Sequence, residues 1–256
     1  MYTDIGKISV LIPAYNEGNC IIENVEEIIR TFNKFGCKYE IVLIDDGSAD
    51  ATYEKMLELS KKFSCIRVKK NNINLGKGET LKRGFADTTG DLVVFLDVDL
   101  ELHPRQLGAF FDAIKKDNAD VVIGSKHHPD SKLKYPLYRR FLSSIYYFAV
   151  KIMFGLPVRD TQTGLKLFKR EVLERVFPRI LVKEYAYDLE ILVLSHHFGY
   201  KIIEEPIILD YKRKWIRIGF RCLYKTFLDT LAIFYRMYIL RYYDIELSNP
   251  PRDNET

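Results

Sequence analysis

Three acidic residues spaced two apart, Asp97, Asp99 and Glu101, close the apolar run Val93-Val94-Phe95-Leu96. An extended backbone sends successive side chains to opposite faces, so this spacing predicts three carboxylates pointing the same way. Carboxylates are depleted in strands, and a row of them at a strand end calls for solvent or a cation to neutralise it. An all-oxygen set of this kind suits a hard divalent metal ion. The competing reading is a solvated loop in which Asp99 or Glu101 caps the helix after Pro104. A second acidic pair, Asp45 and Asp46, also follows an apolar run. One pair could hydrogen-bond a base or ribose while the other holds a metal on a diphosphate.

These groups require elements to position them, and the first half of the chain supplies a βαβ series. Apolar runs at 8–13, 39–44, 65–68, 92–96 and 121–124 read as strands. Helical spacing lies between them at 21–35, 52–63, 78–86 and 104–116, with Asp50 placed as an N-cap and Pro104 in a first turn. The alternation predicts an α/β fold, a largely parallel Rossmann-like sheet with helices on both faces. Ligands of such sheets bind beyond the carboxyl ends of the strands. Asn16-Glu17-Gly18, Asp45-Asp46-Gly47-Ser48, Asn74-Leu75-Gly76-Lys77-Gly78 and residues 97–101 all fall at or near that rim.

After Gly124 the alternation fails. An aromatic and basic helix is predicted over 137–154, then a turn-rich piece at 159–164, helical patterns at 170–177 and 187–198, and a last helix over 220–241. In that last helix Arg221, Lys225, Asp229 and Arg236 form one narrow polar stripe. Phe220, Leu223, Tyr224, Phe227, Leu231, Phe234 and Tyr238 surround it on a wide apolar face. Such a helix either lies in a membrane interface or packs on the domain core. No segment is long enough to span a bilayer.

Composition sets the outer limits. The 256 residues are 47% hydrophobic, enough for one large core, and the net charge of +4 is mild. Its distribution is uneven: residues 126–241 are rich in Lys, Arg, Tyr and Phe, which predicts an anionic partner for that half. The four cysteines, Cys20, Cys37, Cys65 and Cys222, have no metal-ligand spacing and predict a reducing compartment. The start of the chain leads into a strand by Ile8 and signals neither secretion nor an N-terminal anchor. Gly76-Lys77-Gly78 lacks the rest of a phosphate-cradling loop, and no Gly-x-Gly-x-x-Gly follows the first strand. A P-loop kinase and a dinucleotide dehydrogenase are thereby disfavoured, and nothing points to nucleic acid.

Taken in order, Ile12-Pro13-Ala14-Tyr15-Asn16-Glu17, Ile44-Asp45-Asp46-Gly47-Ser48-Ala49-Asp50, Asn74-Leu75-Gly76-Lys77-Gly78 and Asp97-Val98-Asp99 resemble the successive motifs of inverting family 2 glycosyltransferases with the GT-A fold. Gly124-Ser125-Lys126, Asp160-Thr161-Gln162-Thr163-Gly164-Leu165-Lys166-Leu167-Phe168 and Ala186-Tyr187-Asp188-Leu189-Glu190 resemble the polyprenyl-phosphate branch. The second of these strings is most similar to dolichyl-phosphate β-glucosyltransferases, then to dolichyl-phosphate mannosyltransferases. The resemblance runs from about Ile8 to Pro206.

The resemblance implies that Pro13, Tyr15 and Glu17 line a nucleotide pocket, that Asp45 or Asp46 reads the base, and that Lys77 lies near the phosphates or ribose. Asp97 would sit by the ribose and the metal, with Asp99 and Glu101 as further ligands of Mg2+ or Mn2+. Glu101 stands where the family often has Gln, and Lys126 where it commonly has Arg, a point charge in place of a bidentate fork. Lys126, Arg139, Arg140 and Ser143 or Ser144 are the candidates for the acceptor phosphate. Donors would be UDP-glucose or GDP-mannose, and the acceptor a polyprenyl or dolichyl phosphate at the cytoplasmic face of a membrane. A sugar hydroxyl is the alternative acceptor, for which Asp188 or Glu190 would serve as base. A nucleotide-sugar-binding subunit is the non-enzymatic alternative. Trp215, among Lys212, Arg213, Lys214 and Arg217, would close over the diphosphate or lie at the membrane. The expected organisation is a catalytic domain over 1–210 that includes the 137–154 helix, an amphipathic segment over 211–247, and a disordered tail over 248–256.

Overall fold

Strands and helices alternate through the first half as the apolar periodicity predicts: β1 (Lys7–Ala14), α1 (Ile21–Phe35), β2 (Lys38–Asp45), α2 (Thr52–Lys62), β3 (Ile66–Lys70), α3 (Lys77–Phe85), β4 (Leu92–Phe95), α4 (Leu107–Lys116) and β5 (Val121–Ser125). The computed structural model describes residues 1–133, 137–184, 186–209 and 220–245, with the side chains of 133, 137–143 and 220–223 outside that description. Helix α1 buries Ile21, Val25, Ile28, Ile29 and Phe32 at helical spacing and stops at Gly36. Gly36 has φ 71, a left-handed conformation that ends a helix at no steric cost to glycine. Asp50 accepts from the Thr52 N–H at 3.1 Å, although Ala51 holds the cap position of α2. Pro104 opens a short 3-10 turn before α4, and there His103 Nδ1, not Asp99 or Glu101, accepts from the Arg105 N–H at 3.1 Å.

The second half adds β6 (Lys132–Leu133), α5 (Leu137–Phe154), β7 (Lys166–Lys169), α6 (Arg170–Val176), α7 (Tyr187–His197), β8 (Ile202–Pro206), β9 (Ile208–Leu209) and α8 (Phe220–Phe234). The main sheet has the order β3-β2-β1-β4-β7-β5-β8, and β6 and β9 form a small parallel pair. Strands β7 and β8 correct the sequence reading, which found no strand after Gly124. β7 is only four residues long and carries a lysine at each end, and β8 contains Glu204 and Glu205, so neither shows the apolar run that marks a buried strand. β7 runs antiparallel between β4 and β5, and every other neighbouring pair in the main sheet is parallel.

Both faces of the sheet are buried. Ile8, Val10, Ile12, Ile41, Leu43, Val94 and Leu167 pack under α1, α2 and α4. Leu11, Val42, Ile44, Val93, Phe95, Ile123 and Phe168 pack under α3, α6 and α7. At the end of the sheet remote from the ligand rim, Glu40 is buried and accepts from Ser9 Oγ and Lys7 Nζ, each at 2.7 Å, from the Thr89 N–H at 2.6 Å, and from Arg67. Burial works against its charged form, yet Lys7, Ser9 and Thr89 outweigh burial and pull its pKa down to about 2. A carboxylate depressed in the folded state stabilises fully above its unfolded pKa and loses that contribution as pH falls through the folded one. Unfolding in urea should therefore show about 2–3 kcal/mol lost between pH 5 and pH 2, a loss that Glu40→Gln should largely remove.

Helix α8 continues through a wide π turn, Tyr235–Ile239, and a 3-10 turn, Tyr242–Asp244. Among the described residues of its polar stripe, Lys225 pairs with Glu184 at 2.9 Å and Arg236 with Glu190 at 3.3 Å. Thr226, Thr230, Ile233 and Met237 are buried beside them, while Tyr224, Phe227, Leu231, Tyr235, Tyr238 and Ile239 are exposed. Tyr146 and Phe154 of α5 meet Thr230, Phe234 and Tyr238 of this segment. On α5, Ile145, Phe148 and Ile152 are exposed. Among the described residues no helix is long and apolar enough to cross a membrane.

Candidate active site

Strands β1, β2, β4 and β5 run the same way, so Ala14, Asp45, Phe95 and Ser125 end on one rim. The antiparallel β7 starts on that rim, with Lys166 opposite both Phe95 and Ile123. The 160–165 turn is thereby delivered between the first-half loops and Lys126.

The 15–18 loop is laced to the loop after β2. Asn16, at φ 55, donates from its N–H to Ser48 Oγ and accepts from the Ala49 N–H, each at 2.9 Å. The Glu17 N–H donates to Thr52 Oγ1 at 2.9 Å and the Gly18 N–H to Asp50 at 3.0 Å. Pro13 ends up half-buried and the Tyr15 ring 48% exposed above the rim. Asp45 and Asp46 are both buried. Asp45 accepts from the Ser48 N–H at 3.3 Å. Asp46 accepts from Asn71 Nδ2 at 3.0 Å and from the N–H groups of Leu75 at 2.9 Å and Gly76 at 3.1 Å. Asp46 thus holds the turn that leads into Lys77.

Lys77 opens α3 and reaches across to Asp97 Oδ1 at 2.5 Å. Burial alone would lower the Lys77 pKa, but Asp97, Asp188 and Asp99 outweigh it and raise the value, so the ammonium stays charged. The other oxygen of Asp97 lies against Gly164, where any side chain would collide with it. Behind that glycine, the Lys166 ammonium is 1% exposed and bonds Asp188 at 2.6 Å and the Thr163 carbonyl. Burial lowers the Lys166 pKa against the pull of Asp188. At the next strand end, the Lys126 N–H donates to Asp160 Oδ2 at 2.9 Å and its ammonium lies 3.5 Å from the same oxygen. Burial raises and Lys126 lowers the Asp160 pKa, with a net depression. The rim therefore carries three cation–carboxylate pairs: Lys77–Asp97, Lys126–Asp160 and Lys166–Asp188.

The three strand-end acids behave differently from the strand argument. β4 stops at Phe95, and Leu100 has φ 54, so the backbone turns back instead of running on extended. Leu96, Val98 and Leu100 are buried while Asp97, Asp99 and Glu101 are half-buried, and Asp99 accepts from the Glu101 N–H at 3.1 Å. Among the described residues no group of three or more carboxylate, His or Cys side chains could hold a metal, so Asp97, Asp99 and Glu101 are not gathered into one ligand set. Asp97 holds the Lys77 ammonium, and Asp188 and Asp99 add to the negative field around it. That stand-in charge, with oxygen as the only donor type, fits a hard divalent ion held by two carboxylates and a ligand's phosphates.

The buried place of Lys166 escaped the sequence reading. Its signal is a lone lysine between Leu165 and Leu167-Phe168, a place where only a partnered cation survives burial. Arg139, Arg140 and Ser143 lie on α5, with side chains outside the described residues. Trp215, Lys212, Arg213, Lys214, Arg217 and the 248–256 tail also lie outside them.

Residues 9–177 match glycosyl transferase family 2. A dolichyl-phosphate beta-glucosyltransferase of Trichomonas vaginalis is 31% identical over 212 residues, covering 78% of this chain and 64% of the relative. A protein of the same name from Dictyostelium discoideum is 33% identical over 213 residues, covering 78% and 65%. The chain thus spans just under two thirds of the length of these relatives. In fold, the mannosyltransferase PcManGT of Pyrobaculum calidifontis, solved with GDP-Man and Mn2+, superposes with a TM-score of 0.62 at 20% identity, over 92% of this chain and 64% of that one. The mixed sheet of this chain is accordingly the GT-A arrangement. The matched stretch covers more than half of the chain and contains the loops after β1, β2, β4 and β5 and the 160–165 turn, and the chain belongs to glycosyl transferase family 2.

Proposed function

We propose that this chain transfers a hexose, glucose from UDP-glucose, to a polyprenyl phosphate at the cytoplasmic surface of a membrane, with inversion and with Mg2+ or Mn2+. The observation that carries the reading is the spacing of charge along one rim: the Lys77–Asp97 pair on the first-half side, and Lys126 held by Asp160 on the other. Two anionic substrates need two such places.

Tyr15, exposed above the rim, and Pro13, Glu17 and Asp45 line the nucleotide, while Asp46 fixes the turn that presents Lys77. Asp97 and Asp99 would hold the divalent ion. When bound, that ion supplies Lewis-acid stabilisation of the charge that builds on the departing diphosphate. Lys77 adds a fixed positive charge at the same place. A lipid phosphate is already anionic near neutral pH, so the acceptor needs alignment more than deprotonation. Lys126 supplies this, oriented by Asp160, with Arg139, Arg140 and Ser143 on α5 as its partners. The outward apolar faces of α5 and α8 would seat the rim on the bilayer, with 211–247 as a membrane-associating segment. The names of the two relatives favour glucose. The GDP-Man in the Pyrobaculum structure favours a second reading, mannose from GDP-mannose.

The purified chain, supplied with Mn2+, polyprenyl phosphate in anionic vesicles and a panel of labelled nucleotide sugars, should carry label into the lipid phase from UDP-glucose. EDTA should abolish that transfer and added Mn2+ restore it. Label from GDP-mannose alone would replace the donor, and label only in a soluble acceptor would refute the lipid reading.

A further inference from the structure

Residues 180–184 form a strap without regular structure between α3 and the C-terminal helices. On one side the Ile180 carbonyl accepts from Lys82 at 3.3 Å, and the Lys183 carbonyl accepts from the Gly78 N–H at 3.0 Å. The approach is close enough that a Cβ on Gly76 would stand 2.7 Å from the Lys183 carbonyl oxygen. On the other side the strap is gripped by Glu190, which is fully buried: its Oε2 accepts from the N–H groups of Leu181 at 3.0 Å and Val182 at 2.7 Å. The second oxygen of Glu190 takes the Tyr243 hydroxyl and lies 3.3 Å from Arg236.

The π turn carries Arg236 inward, and Arg241 at φ 48 reverses the chain so that Tyr243 returns to the same carboxylate. Between strap and α8 lies a cavity of about 320 Å3, lined by Leu181, Val182, Lys225, Asp229 and Arg236 among others. The Glu190 contacts and the Lys225–Glu184 pair join the two elements beside the apolar cluster that holds Ile180, Val182, Ile233, Met237 and Tyr243. With all its oxygens engaged, Glu190 is not placed to act as a base.

We propose that Glu190 is a positioning residue for the Lys77 turn, and that Arg236 and Tyr243 act through it, so that the seating of the C-terminal helices sets how Gly76-Lys77-Gly78 meets a nucleotide. This rests on the reading of Lys77 as a donor-binding residue for its nucleotide consequence only. Glu190, Arg236 and Tyr243 do not themselves belong to the proposed nucleotide site, and their contacts to one another are side-chain hydrogen bonds and an ion pair that single substitutions remove.

Arg236→Met and the milder Tyr243→Phe in the full chain test it by two measurements. Hydrogen exchange at the Gly78 amide should quicken at least several-fold in both. The dissociation constant for UDP with Mn2+ should rise by about two- to thirtyfold in Arg236→Met, the range over which such couplings act. Lys115→Met, which breaks an ion pair to Asp4 far from the strap, supplies the comparison and should change neither. Unchanged exchange at Gly78 in both variants would overturn the linkage. Unchanged UDP affinity alongside quickened exchange would overturn its nucleotide consequence. If the unaltered protein binds neither UDP nor GDP, the proposed function fails, and the linkage is judged on Gly78 alone.

Discussion

Asp97→Asn should lower sugar transfer by about 100- to 1000-fold, about what removal of one preorganised electrostatic contact costs, while moving the melting temperature by no more than about 2–3 °C. The substitution keeps the shape that fits against Gly164 and removes only charge. On the proposed function the charge is what counts, because Asp97 anchors the Lys77 ammonium at 2.5 Å and is one of the two carboxylates proposed for the ion. Stability should barely respond, since the Lys77 and Asp97 side chains are 33% and 40% exposed and ion pairs of that kind contribute at most about 1 kcal/mol. The measurements are initial rates across a Mn2+ titration and a thermal melt. A weakened metal optimum accompanying the rate loss would place the defect at the ion, and full activity in the variant would refute the assignment.

Asp188→Ala should show the opposite pattern and destabilise the fold by about 3–5 kcal/mol, the cost of leaving a buried charge without its partner. Lys166, 1% exposed, would keep only the Thr163 carbonyl and would face the nearby Lys77 charge. For a chain of this size that corresponds to a melting point lower by about 10 °C. Adding Lys166→Met to the same chain should recover most of the loss, because removing both members of a buried pair is often close to neutral. If Asp188 were instead a catalytic base for a hydroxyl acceptor, Asp188→Ala would abolish turnover at unchanged stability. Chemical denaturation of the single and double variants separates the two outcomes.

The first half of this architecture is legible in sequence because each strand is an apolar run and each helix an apolar stripe, so position and period give the same answer. The loops at the ends of those strands follow at once. What the sequence hides is β7, whose lysines at both ends suggest surface until their partners are known. One of those partners is Asp188, twenty-two positions away on α7. The metal reading shows the same limit from the other side. Alternation did locate Asp97, Asp99 and Glu101, yet alternate exposure persists through the turn at Leu100 without bringing the three carboxylates together. Likewise, the period of α8 shows its polar stripe, but which way Lys225 and Arg236 turn depends on Glu184 and Glu190, which only the folded chain brings beneath them.

The antiparallel placement of β7 bears on how the molecule is made. A chain growing from its amino end completes β1 to β5 before residue 166 exists, and until then β4 and β5 have no common neighbour. Their facing edges are open ladders, the kind of surface that pairs with other chains. Lys126 already has its place in the sequence at that stage, but Asp160 and Gly164 arrive only with the wedge that closes the gap. The links between the loops after β1 and β2 can thus form during synthesis, whereas the Lys77 turn, Asp97 and Lys126 meet Lys183, Gly164 and Asp160 only once the later chain has closed the sheet. Fragments ending near residue 125 should aggregate instead of folding as a small nucleotide-binding unit.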